Sequence, residues 1–486
     1  MSEYSHGIMT SRKEAEPQSP AKSPENAVVV IGTAPVNTAE YPAINEPVLA
    51  SKRADAVAAM GMTEEFDKYT IPHSIYAHFH KFATAPVVFI NVLDPDNPSH
   101  QTAVASKELT VESGQVVIED VGILLDKLQV SDQDTVLTVG KDYVTSFDAA
   151  GYVVIAATDT GQMSGLSKIT VTYSKLKPEG VTEADIIGGV DEDGVRTGLE
   201  LLDEIYPRFG VVPTILVAPG FSKKASVAAA LEAKAQLIYG LTNGIAIVDL
   251  DSSSSGAVKK EDVAKQKEKT VVPSRWNIPV WPMVQVDGYR IWQSAQAAAL
   301  MQAVAVKNSG IPSESPDNLA YMIDGLCLED GTPVRMTMDD VNDYLNRYGV
   351  CSALKLPEWK FWGSNTAAYP TSRKAIDRWI KSVTMLNFME NRFKLDYAPS
   401  IGRNASAKKI NDIVDQFNLF LNSLIPDHLS GAEIVFDIDK NDTAAMQEGH
   451  YKFHTRYADW GPLEFIENEF EYDANIQAEA LKGGLE

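Results

Sequence analysis

The chain has 486 residues, 44% of them hydrophobic, and its 66 acidic and 43 basic side chains give a net charge of -23. That length supplies two to four packed domains with a sizeable core, and the acidic excess excludes general nucleic-acid binding, which needs a basic surface. Cys327 and Cys351 are too few for a disulfide scaffold, no apolar run approaches the ~18–20 residues of a bilayer span, and MSEYSHGIMTSRKEAEPQ has no signal-peptide core.

Tyr4, Ile8 and Met9 offer a few apolar contacts at the start, but residues 10–25, TSRKEAEPQSPAKSPE, are polar and broken by Pro17, Pro20 and Pro24. Such a stretch cannot bury a face and reads as an arm. From 26 to 98 the pattern is strand, loop, helix, strand: AVVVIG, a helix around 51–60, another near 72–82, and PVVFINVLDP at 86–95. Strands alternating with helices predict a parallel-rich sheet. Residues 99–184 change to short alternating runs separated by FDAAG and TDTG, which predicts an inserted antiparallel module. The α/β pattern resumes with a helix GVRTGLELLDEIYPRF, strands at 214–220 and 244–251, and helices at 225–240 and 291–306. Residues 252–270, SSSSGAVKKEDVAKQKEKT, read as an exposed excursion between them.

Beyond Val350 the composition shifts. Residues 371–409 hold nine Lys or Arg against three Asp or Glu, and Ile376, Trp379, Ile380 and Val383 recur at helical spacing. A second such helix carries Ile410, Ile413, Val414, Phe417, Leu421 and Leu424. Three strand-like segments follow, AEIVFDID, HYKFHTRYA and LEFIENEFEY, within a final 50 residues holding 12 acidic and 4 basic side chains. The whole is an α/β (α+β) multi-domain chain: an arm at 1–25, a discontinuous body at 26–98 and 185–349, an inserted β domain at 99–184, and a C-terminal α+β domain at 350–486.

No stretch carries a recognised catalytic pattern. VVVIGTAP opens like a nucleotide-binding strand, but the next glycine after Gly32 is Gly61, and Pro35 removes an N–H from the turn that would cradle a phosphate. His73, His78 and His80 lack a partner at metal-ligand spacing and read as ordinary helix histidines. Asp437, Asp439, Asn441 and Glu448 mimic an EF-hand, yet Asp442 stands where the loop's turn calls for Gly. DEDG at 191–194 reads as an acidic turn favoured by a following helix dipole. Neither cofactor nor metal is expected.

Four stretches in order resemble the contractile tail sheath family of contractile-tailed bacteriophages, phage-tail-like bacteriocins and related injection machines: YSHGI followed by an arm and AVVVIGTAP, VTEADIIGGVDEDGVRTGLELLDEI, VVPTILVAPGFS, and the KFWGSNTAA region with its helices. The resemblance implies a mechanical subunit. It would be made in the bacterial cytoplasm, polymerise with itself around an inner tail tube protein, meet baseplate and tail terminator proteins, and contract to drive the tube through an envelope. It further implies that the arm and a C-terminal segment reach neighbouring subunits and add strands to a C-terminal sheet.

On that expectation Tyr4, Ile8 and Met9 make the arm's contacts, and Tyr451, Phe453, Thr455 and Tyr457 give the receiving sheet an apolar face. The candidates for a tube-facing basic surface are Arg373, Lys374, Arg378, Lys381, Arg392 and Lys394. The alternatives from other classes are an α/β enzyme with an unrecognised small-molecule site and a different structural protein, such as a tube or capsid component.

Overall fold

The structure, a computed structural model, describes residues 25–63, 65–148 and 150–483. Tyr4, Ile8 and Met9 therefore lie outside the described residues.

A six-stranded sheet organises the body, in the order Asn277–Val280, Ile245–Asp249, Val212–Val217, Asn26–Gly32, Val87–Asn91 and Val48–Ala50. Neighbours are parallel except Val48–Ala50, which runs antiparallel to Val87–Asn91. Asn26–Gly32 is interior, with Val28 opposite Val87 on one side and Ile215 on the other. Ala27, Val28, Val29, Val30 and Ile31 are all at most 1% exposed. A strand covered on both faces needs the unbroken apolar run the sequence shows, and each buried Val or Ile contributes about 1.5–3 kcal/mol of transfer free energy. Gln293–Lys307 packs across three of these strands, and Ala225–Gln236 packs on Val212–Val217 and Ile245–Asp249.

Residues 101–176 build a separate antiparallel module. One sheet runs Gln101–Thr110, Lys168–Leu176, Gln129–Asp132, Thr135–Val136; the other runs Gln115–Ile118, Val153–Ala157, Tyr143–Phe147. Its entering and leaving strands pair with each other, Gln101 opposite Leu176, and it has its own core of Val116, Ile118, Val130, Ile155, Val171 and neighbours.

Several expectations need correction. The segment 252–270 is not an exposed excursion: Ala257 and Val263 are buried, and Val263–Thr270 is a helix. Its polar composition conceals Lys267, which is 6% exposed and donates from Nζ to the carbonyls of Tyr348 at 2.6 Å, Ala367 at 2.9 Å and Tyr369 at 2.7 Å. The helix expected from Gly194 starts later, as a 3₁₀ turn Gly198–Leu201 leading into Leu202–Phe209. Asp191 instead closes its own turn, accepting from the N–H groups of Asp193 at 3.0 Å and Val195 at 2.8 Å. The helix near 72–82 is Ile71–Ile75 followed by a π turn, Tyr76–Lys81.

The main core does not stop where the composition shifts. Cys351, Ala353, Phe361, Ala367, Ile380 and Val383 all belong to it. A further cluster begins with Met385 and Met389, joined by Phe417, Leu421, Leu424, Leu429 and Ile434. It sits between the helices Ile380–Tyr397 and Ala407–Ser423 and a two-stranded antiparallel sheet, Leu429–Val435 with His454–Asp459. The third expected strand does not form. Residues 460–473 carry no strand, and a helix, Ala474–Gly483, follows.

Candidate assembly interface

The turn after Asn26–Gly32 is closed to a ligand. The Thr33 N–H donates to Thr70 Oγ1 at 3.1 Å, the Ala34 N–H to Asn91 Oδ1 at 2.9 Å, and the Val36 N–H to the Ala34 carbonyl at 2.9 Å. With Pro35 lacking a donor, none of these groups remains for a phosphate. Gly32 is required by proximity, since a Cβ there would lie 2.1 Å from Thr70 Oγ1.

The histidines are structural too. His73 is buried between the Phe66 carbonyl, 2.7 Å from Nε2, and the Trp292 N–H, which donates to Nδ1 at 3.2 Å. His78 Nδ1 lies 2.9 Å from the Ser74 carbonyl. Burial lowers both to about 4, so they are neutral at physiological pH. Asn441 staples the loop before the last strand, accepting from the Lys452 N–H at 2.7 Å and donating to the Asp437 carbonyl at 2.8 Å. Among the described residues no group of three or more His, Cys, Asp or Glu could hold a metal, and no helix is long and apolar enough to cross a membrane.

The helix Ile380–Tyr397 joins body to C-terminal unit with two unlike faces. Toward the body it presents amides: Asn391 Oδ1 accepts from the Asn243 N–H at 2.7 Å, Asn391 Nδ2 donates to the Asn243 carbonyl at 2.7 Å, and Asn387 Nδ2 donates to the Gly244 carbonyl at 3.0 Å. Away from it, Leu386, Met389 and Phe393 form one wall of a groove of about 620 Å³. Tyr451, Phe453, Thr455 and Tyr457 line the same groove, so the four residues picked out by alternation do come together. Only Thr455 and Tyr457 lie in the strand, opposite Ile434 and Ala432; Tyr451 and Phe453 precede it.

The basic residues are scattered. Arg373 and Lys374 are exposed. Arg378 is not a free surface charge, because its guanidinium pairs with Glu464 at 2.8 Å and lies over the rings of Trp379 and Tyr369. Lys381 is 8% exposed and donates to the Trp460 carbonyl, and Lys394 Nζ donates to Asn243 Oδ1 at 2.8 Å. Burial lowers both ammonium groups from their ordinary value. Arg392 Nε donates to Asp396 Oδ2 at 2.6 Å. Helical spacing locates the apolar stripe but is blind to a polar contact made from the flanking positions, which is why Arg378, Lys381 and Lys394 read as solvated.

Sequence reasoning missed the anchoring of the last segment. Ser382 Oγ donates to Asp459 Oδ2 at 2.6 Å, Trp460 Nε1 to the Pro426 carbonyl at 2.7 Å, and Arg378 to Glu464. Past that point Phe465, Ile466, Phe470 and Tyr472 are 76–90% exposed. Large apolar side chains so exposed on a covalently tethered segment mark a surface awaiting a partner. The only legible signal was the alternation of acidic and aromatic residues in LEFIENEFEY.

A tail sheath protein of Burkholderia phage BcepMu is 26% identical over 497 residues, spanning 99% of each chain. The likeness to a contractile tail sheath protein thus runs along the whole chain. No family model matches the chain. The chain also shares its fold with a chain of the anti-feeding prophage baseplate, at TM-score 0.55 and 14% identity over 97% of this chain and 99% of that one. A chain of the anti-feeding prophage helical sheath in its contracted state gives 0.53 at 13% identity, over 96% and 99%. An α+β body, a β insertion and a two-stranded C-terminal sheet thus make up a fold that both of those chains share.

Proposed function

We infer that this chain is the structural subunit of a contractile tail sheath, which polymerises around an inner tube and contracts to drive it through a target envelope. The observation carrying this reading is similarity to a phage tail sheath protein along 99% of the chain. The two-stranded sheet beside an apolar groove and the exposed apolar tail support it, because unpaired strand edges and unburied aromatics are matched by pairing with another copy.

In this reading the arm at 1–25, with Tyr4, Ile8 and Met9, and the C-terminal tail are the connectors between subunits. The parts are the arm, the body at 26–98 and 185–349, the insertion at 99–184 and the C-terminal unit. We set that unit's start near 384, since the main core runs to Val383. Its partners are itself, the tube, the baseplate and the terminator, and it works inside a tail or phage-tail-like particle after synthesis in the bacterial cytoplasm. The tube-facing charges are those left exposed, Arg373 and Lys374, rather than the engaged Arg378, Lys381 and Lys394.

Negative-stain electron microscopy of the purified chain, alone and with tube, tests the reading. Long striated hollow cylinders are expected. Discrete particles under both conditions, with a small molecule raising the melting temperature, would instead return an α/β enzyme.

A further inference from the structure

Asn243 sits where the body meets the helix Ile380–Tyr397, just before the strand Ile245–Asp249, and is 5% exposed. Its side-chain amide is bonded at both ends by residues one helical turn apart. Lys394 Nζ donates to Oδ1 at 2.8 Å, and Nδ2 donates to Glu390 Oε2 at 2.5 Å. Positions four apart share a helix face, so an amine and a carboxyl reach the same amide. The backbone of Asn243 is clamped as well, since Asn391 bonds its N–H and its carbonyl, each at 2.7 Å. Together these contacts fix the amide in one orientation.

An amine at the oxygen of an amide and a carboxyl at its nitrogen are the parts of a transamidation. Cγ lies one carbonyl bond beyond Oδ1, so Nζ is no more than about 4 Å from it, near the ~3–3.5 Å of an attacking pair. Burial lowers the Lys394 ammonium from its ordinary value, which raises the share of neutral, nucleophilic amine. Burial of Asn243 also keeps water, a competing nucleophile, from Cγ. The other rival is the Gly244 nitrogen, which in an Asn-Gly pair can close on Cγ to a succinimide. Here its N–H donates to the Ala235 carbonyl at 2.8 Å and is held out of the reaction.

We propose that Lys394 and Asn243 join in an isopeptide bond, with Glu390 as the proton carrier. Neutral Lys394 Nζ attacks Cγ, forming a C–N bond as the carbonyl electrons move onto Oδ1. The Glu390 carboxylate takes a proton from the attacking nitrogen and passes it to Nδ2. The Cγ–Nδ2 bond then breaks, Nδ2 leaves with its electron pair as ammonia, and the carbonyl re-forms. One amine and one primary amide become one secondary amide and one ammonia, with no change of oxidation state. Glu390 and Lys394 both line the groove of about 620 Å³, which gives the ammonia a way out. The bond ties residues 151 positions apart, so a joint of hydrogen bonds between body and helix becomes covalent. It stands independently of the sheath reading.

Intact-mass spectrometry of the purified full chain, before and after incubation at mildly alkaline pH, followed by tryptic peptide mapping, tests the proposal. The chain is expected to be lighter than its sequence by one ammonia, and the digest to hold a branched peptide joining Asn243 to Lys394. Glu390→Gln should slow formation by about 100-fold and Lys394→Arg should abolish it, with the circular dichroism of both unchanged. A wild-type chain at full sequence mass after incubation overturns the proposal, and this measurement needs neither variant to fold. Loss of ammonia without a branched peptide, the mark of a succinimide, overturns it too. Formation in Glu390→Gln at the wild-type rate overturns the proton transfer assigned to Glu390.

Discussion

Arg378 Nη2 lies 2.8 Å from both carboxylate oxygens of Glu464, while Arg378 Nε donates to Asn365 Oδ1 at 2.8 Å and the guanidinium stacks 3.7 Å from the Trp379 ring centroid. This planar fork ties the last anchored residue of the tail to the start of Ile380–Tyr397. Arg378→Lys keeps the charge and loses both fork and stack. Because Glu464 is half-exposed, global stability should change by no more than about 1 kcal/mol. Limited proteolysis should nonetheless cut residues 459–466 several-fold faster; an unchanged cleavage rate would show that the pair does not set where the tail departs.

Lys267 makes a stronger prediction. Its ammonium fills a site made of three backbone carbonyls, and burial lowers it to about 8. Lys267→Met preserves the stem and leaves those carbonyls without a donor, at a cost of about 3 kcal/mol. Urea denaturation at pH 7 measures the loss, and a change under about 1 kcal/mol would mean that water replaces the ammonium.

A pH dependence follows from Asp249, buried at the end of its strand. Its carboxylate accepts from Ser294 Oγ at 2.6 Å, the Ser294 N–H at 2.9 Å and Ser222 Oγ at 3.3 Å, yet burial outweighs these bonds and raises it to about 6. The folded chain thus holds this proton to higher pH than the unfolded chain. Stability from this group is full below about pH 4 and is lost as pH rises through about 6, by roughly 3 kcal/mol. Asp249→Asn should remove that slope, so variant minus wild-type stability rises between pH 4 and 7. Parallel stability curves would refute the assignment.

Deleting residues 1–25 should leave a folded chain, since the interior strand starts at Asn26 and its core is intact. Circular dichroism should be preserved while the truncated chain forms no cylinders. Cylinders of normal length would show that the arm is not a connector.

Charge reversal at Arg373 and Lys374 should weaken sheath-on-tube assembly without lowering the melting temperature, because both side chains are exposed. Equal decoration of tubes by the variant and the parent would place the tube-facing surface elsewhere.

The sequence by itself determined the interior strand, the β insertion and the buried helix Gln293–Lys307, because unbroken apolar runs and period-two alternation are local signals of burial. Strand alternation accounts for Thr455 and Tyr457 sharing a face, whereas Tyr451 and Phe453 reach the same groove from the segment before the strand. Only the tertiary structure decided which polar residues are buried. Lys267, Asp249, Asn387 and Lys381 look solvated in one dimension, because a polar side chain is interior only where distant backbone or side-chain groups satisfy it. The same long-range partners turned Arg378 from a surface charge into an anchor for Glu464, and residues 465–472 form no strand among the described residues, for a strand forms only where an edge with matching groups is within reach.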